Sequence, residues 1–165
     1  MLINNQVELQ MVMNSKLTLV MNEVMKTLLM KLQDIIEENV YSYPNPNGEW
    51  DNRTYQFKNS WTYSVPQWMG NYCESQIDND DFEFKWVNDK NMWSHGNSFK
   101  PVESNDDFNE IIDNRQGGSN FGFPSLQRHY WFEFLMEVDT SLESIFQAEC
   151  IKQRLPIEYA NVFLA

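Results

Sequence analysis

From Ser15 to Asn39, apolar side chains recur at spacings of three and four: Leu17, Val20, Met21, Val24, Leu28, Leu32, Ile35 and Ile36. An α-helix brings that spacing onto one face, so the run predicts a long amphipathic helix with a buried stripe. Met25, Leu29 and Met30 widen the stripe, and the helix is expected to be covered on more than one side. A methionine-rich face also adapts to irregular partners. Pro44, Pro46 and Gly48 then forbid continuation. Upstream, Val7, Leu9, Met11 and Met13 alternate, which reads either as a strand-like arm or as an early helical extension.

Beyond the turn, the pattern changes to period two. Trp61-Thr62-Tyr63-Ser64-Val65 alternates large and small polar residues up to Pro66, while Gln67 to Gln76 is less regular. Asp78 to Asp81 reads as a turn, and Phe82 to Val87 as a half-buried strand. The connections within 61–87 are too short for crossover helices, so the pairing is expected to be antiparallel. A loop centred on His95-Gly96-Asn97 follows, then a short helix over 105–113 and a glycine-rich loop over 117–124. A last helix is predicted from Gln127 to Arg154, with Trp131, Phe134, Leu135, Val138, Leu142, Ile145 and Phe146 as its stripe and Pro156 as its stop. The expected fold class is α+β, with a long N-terminal helix, an antiparallel sheet, a short helix and a long C-terminal helix packed on the sheet. Residues 15–156 form the expected single domain, with an arm at 1–14 and an apolar tail at 157–165.

Composition narrows the function. The net charge is −12, and carboxylates cluster at Glu74–Glu83, including Asp78, Asp80 and Asp81, and at Glu103–Asp113, including Asp106 and Asp107. Phosphate binding needs basic density that neither cluster has, which argues against a nucleic-acid reader or a binder of anionic membranes. Solvated loops explain the clusters most simply, although a negative wall also suits a conduit through which DNA slides without sticking. The six Trp, seven Tyr and eleven Phe exceed what a disordered chain carries, and rings not used in the core are suited to subunit contacts. No apolar run reaches the roughly 18 residues of a membrane span. The N-terminus lacks a basic region, so it does not read as a secretory signal, and synthesis in a cytoplasm is expected. Cys73 and Cys150 lack CxxC spacing and read as free thiols.

No catalytic constellation emerges. His95 sits in a loop and His129 opens the last helix, neither with a second ligand at zinc spacing. Asp78 to Glu83 superficially follows a calcium loop, but Glu83 stands where the EF-hand needs glycine. Gly117-Gly118-Ser119-Asn120-Phe121-Gly122 lacks the Lys-Ser/Thr of a P-loop. Neither a cofactor nor a metal is expected. Arg53, next to Thr54 and flanked by Trp50, Tyr55 and Phe57, reads as a clamp that ties the loop to the first helix or reaches across a subunit boundary. Arg53, Thr54, Tyr55, Phe57, Ser60, Trp61 and Trp131 are the structural or interface candidates.

The ordered pieces are Tyr41-Ser42-Tyr43-Pro44, Arg53-Thr54, Ser60-Trp61, His95-Gly96, Ile111-Ile112 with Gly117-Gly118, and Trp131-Phe132. In that order, over roughly 17–156, the chain resembles the neck and tail-completion (minor tail) proteins of long-tailed bacteriophages. Tyr55 stands where the family pattern has glycine. The resemblance implies a non-enzymatic virion protein at the head–tail junction, forming a ring, expected to be a hexamer, through which DNA passes. Its partners would be further copies of itself and neighbouring connector and tail-tube proteins, with no membrane. Two other readings stand beside it: a small acidic inhibitor that mimics DNA, and a hydrolase using Asp or Glu with His95 or His129.

Overall fold

The computed structural model describes residues 5–41, 55–79 and 129–156. The fold is α+β: a long N-terminal helix, small antiparallel sheets and a long C-terminal helix packed against them. Helix α1 spans Gln6–Ile36 and runs into a π-helical turn, Glu37–Tyr41. A short helix α2 spans Gln56–Ser60, followed by strands β1 (Thr62–Tyr63), β2 (Gln67–Met69), β3 (Tyr72–Glu74) and β4 (Ile77–Asp78). Helix α3 spans Tyr130–Lys152. The expected strand at Phe82–Val87, helix at 105–113, loops around His95 and Gly117, and tail at 157–165 lie outside the described residues.

The helical alternative for the N-terminal segment is the one observed. Asn5 caps α1: its Oδ1 accepts the backbone N–H of Glu8 at 2.9 Å, and its carbonyl accepts that of Leu9 at 3.2 Å. An asparagine cap of this kind satisfies a donor that the first turn leaves unpaired.

The chain divides into two compact units, and both long helices contribute to each. In the first unit (1–31, 63–77 and 135–165), Val20, Val24, Met25 and Leu28 of α1 are buried, as are Val138, Leu142, Phe146 and Cys150 of α3. Here the two helices run antiparallel: Lys31 pairs with Glu137, and Lys16 Nζ donates to the carbonyl of Gln153 at 2.9 Å. Each fully buried aliphatic side chain contributes about 1.5–3 kcal/mol, far more than the partly exposed ion pair.

The segment 67–76, irregular by pattern, contains a tight hairpin. Strands β2 and β3 pair antiparallel in the register Gln67↔Glu74, Trp68↔Cys73 and Met69↔Tyr72. The two-residue turn Gly70-Asn71 needs a left-handed backbone, and Gly70 supplies it at φ 77. Trp68 secures the hairpin to α1, its Nε1 donating to Thr18 Oγ1 at 3.0 Å, while Thr18 itself donates to the carbonyl of Asn14. Around this hairpin β1 pairs with β4, and Ser64 N donates to the carbonyl of Gln76 at 2.9 Å. The first strand is shorter than its alternation predicts, because Trp61 ends α2 and the ladder starts at Thr62.

Helix α3 ends in a Schellman motif. Leu155 N donates to the carbonyl of Cys150 at 2.9 Å and Arg154 N to that of Ile151 at 3.0 Å, with Arg154 left-handed at φ 55. Leu155 and Cys150 are both buried, the hydrophobic contact such a cap carries. Glycine takes that backbone without the cost of about 1–2 kcal/mol that a side chain imposes. Arg154→Gly is therefore expected to stabilise the protein by about 1 kcal/mol, read as a higher urea midpoint at unchanged m-value.

Candidate functional site

The second unit (32–62 and 78–134) contains most of the described candidate residues. Five residues are too few to form a helix unaided, since nucleation is unfavourable, so α2 depends on its surroundings. Its N-cap, Tyr55, makes no side-chain capping bond and sits left-handed at φ 54, ψ 17. The third helical N–H, from Lys58, finds the Tyr41 hydroxyl instead, at 3.4 Å. Lys58 Nζ pairs with Glu37 at 3.1 Å, and Gln33 Nε2 donates to the Lys58 carbonyl at 3.5 Å. Ser60 Oγ closes the other end on the carbonyl of Phe57 at 2.7 Å.

Tyr55 is thus held in the conformation glycine prefers. Its ring stacks on Tyr41 at 4.6 Å and 23°. Such a stack contributes about 0.5–1.5 kcal/mol beyond burial, enough to offset most of the backbone cost.

Beneath α2 lies a knot of rings. Trp61 stacks on Trp131 at 5.4 Å and 17°, and meets Tyr130 edge-on at 6.3 Å. Phe57 lies edge-on to both Trp61 and Tyr130, at 6.1 and 5.5 Å, and Phe134 packs on Trp131. Leu32, Ile36 and Val40 are also buried in this unit. Trp61 is 6% exposed, and its indole N–H is a buried donor without an acceptor. The chain accepts this polar cost in exchange for ring packing at that position.

The candidates therefore separate. Phe57 and Trp61 are core residues of this unit, Trp131 is half-buried against Trp61, Ser60 caps α2, and Tyr55, stacked on Tyr41, is 42% exposed. Arg53, Thr54, Asp80, Asp81, Asp106, Asp107 and His95 lie outside the described residues. Asp78 closes β4, partly buried. Sequence reasoning singled out Arg53 as the clamp and passed over Lys58. Among the described residues, Lys58 ties this segment to the end of the first helix. Its signal is only retrospective: Glu37 and Tyr41, four apart on a helical turn, present an acid and a hydroxyl to one side.

Among the described residues no three His, Cys, Asp or Glu side chains converge as a metal site, and no helix is long and apolar enough to cross a membrane. His129, left-handed at φ 37, supplies the carbonyl that accepts the first α3 bond, from Glu133 N at 2.9 Å. Both cysteines are free; burial, then the neighbouring carboxylate, raises the thiol pKa of Cys150 beside Glu149 and of Cys73 beside Glu74. A raised pKa means that the folded protein keeps its thiol proton at pH values where the unfolded chain loses it. Stability is then fully present below the ordinary thiol pKa of about 8.5 and falls as pH rises above it. Cys150→Ala is expected to flatten that alkaline fall, measured as urea midpoints at stepped pH.

No protein-family model matches the chain, and no curated protein or solved structure is significantly similar to it.

Proposed function

We propose that the chain is a non-enzymatic structural protein of a phage virion, acting at the head–tail junction as a neck, tail-completion or tail-terminator component. Copies form a ring, a hexamer in this reading, that joins tail to head and lets DNA pass. The observation that supports it best is the convergence of the pieces that carry the resemblance. Tyr41, Ser60-Trp61 and Trp131 are far apart in sequence, yet all belong to the aromatic and hydrogen-bonded cluster around α2. The left-handed backbone at Tyr55 adds to this, since glycine in the family pattern would serve that conformation. The charge of −12 suits a protein that DNA passes without binding.

The test is genetic and structural. Particles assembled without this protein should accumulate as separate heads and tails, and complete particles should contain it in a fixed low copy number. Fully joined particles made in its absence would refute the reading. Recovery of a basic nuclease or repressor as its partner, with no capsid or tail protein, would favour the DNA-mimicking inhibitor instead.

A further inference from the structure

Two helix starts in the second unit break the same local rule. An N-cap residue ordinarily has extended backbone. Tyr55, which opens α2, is left-handed at φ 54, and His129, which opens α3, is left-handed at φ 37. A residue with a side chain loses about five- to thirtyfold in population by adopting that conformation. Stacking on Tyr41 offsets most of this at Tyr55. Arg154, the third non-glycine residue of this kind among those described, stands past a helix C-terminus, where such backbone is the usual cap.

A further cost lies between the two starts. Trp61 stacks on Trp131 and meets Tyr130 edge-on, and Phe57 also meets Tyr130, so these rings join α2 to the first turn of α3. The buried N–H of Trp61 has no acceptor, which disfavours the closed form by about fivefold or more. Both starts are fastened to one short segment, the π-helical turn Glu37–Tyr41. Lys58 Nζ pairs with Glu37, Lys58 N donates to the Tyr41 hydroxyl, and Asn39 Nδ2 donates to Glu133 Oε2 at 2.6 Å. Turns of this type are rare and concentrate at functional positions of helices. Backbone strain likewise persists only where its surroundings enforce it, and it gathers at segments that switch.

We infer that α2 and the first turn of α3 form one conformational switch, which opens as a unit while the core of the first unit stays folded. The rings join the two pieces, and the π turn holds them closed. The left-handed starts and the unpaired indole N–H weaken the closed form. Opening relieves them together: water reaches the Trp61 N–H, and both starts return to ordinary backbone. It also brings Phe57 and Trp61 to solvent, and their burial keeps the closed form dominant.

The experiment is native-state hydrogen exchange of the full chain, read by NMR at individual amides over low urea concentrations. The reporters are Asn59 N, bonded to the Tyr55 carbonyl, and Glu133 N, bonded to the His129 carbonyl. Both should open at least about thirtyfold more often than the amides of Val24 and Val138, inside α1 and α3, and with a shared urea dependence. Coupling separates a switch from the fraying of two independent helix ends. His129→Gly should slow opening at Asn59 as well as at Glu133, by about fivefold. Tyr41→Phe keeps the ring but removes the acceptor of Lys58 N, and should speed opening at both reporters by about fivefold. Arg154→Gly, which relieves the same backbone in the first unit, should leave both within about twofold. Reporters that exchange only through global unfolding overturn the inference. So does either second-unit variant that moves one reporter and leaves the other unchanged, because the two starts would then open separately. Measured on the isolated chain, these outcomes are independent of the virion reading.

Discussion

Trp61→Ala is expected to cost about 3–5 kcal/mol, the range for deleting a large buried ring. The indole touches three other rings: it stacks on Trp131 and meets Phe57 and Tyr130 edge-on. Its removal would leave a void bounded by side chains from two distant parts of the chain, so neither side can collapse without moving a helix. The companion change, Trp61→Phe, separates ring packing from polarity. It retains an aromatic plane and deletes the buried N–H that has no acceptor. Losing an unsatisfied donor is favourable, so the cost should stay below about 1.5 kcal/mol. Urea unfolding measures both. A Trp61→Ala loss below about 1 kcal/mol, or a phenylalanine variant as damaged as the alanine one, would mean that the ring knot does not hold this unit together.

The same cluster explains which parts of the fold were legible in the sequence. Helices α1 and α3 were, because a period of 3.6 sustained over many turns leaves few alternatives, and the buried positions Val20, Val24, Leu28, Leu32 and Ile36 fall on the expected stripe. Helix α2 was not. It exists because Glu37, Tyr41 and Gln33 supply a charge, a hydroxyl and a donor from another element, and no local pattern encodes those contacts. The hairpin at 67–74 was missed for a different reason. Three-residue strands are too short to display alternation, and the Gly70-Asn71 turn was the only clear local signal. At the site, the rings of Phe57 and Trp61 were legible as important. What they pack against was not: Tyr130 opens α3, and nothing in its neighbourhood marks it as the ring that meets both.

Two phenylalanines on α3, fourteen residues apart and so on nearly the same side of the helix, give the sharpest test of how burial changes along its length. Phe146 is 3% exposed in the first unit, where Val20 and Val24 of α1 are also fully covered, and Phe132 is 61% exposed. Residue type and helix are the same for both, so propensity changes cancel in the comparison and burial alone separates them. Phe146→Ala should cost about 3–5 kcal/mol through lost transfer energy and the cavity left behind. Phe132→Ala should change stability by no more than about 0.5 kcal/mol, as substitutions of open side chains do. Both are read from urea midpoints on the isolated chain. Similar losses at the two sites would overturn the difference in burial between them. Open to solvent in this way, Phe132 has little to do for the stability of one chain. A loss of assembly in Phe132→Ala without a loss of stability would then identify its ring as a contact between subunits, the role that exposed aromatics are expected to serve in a ring.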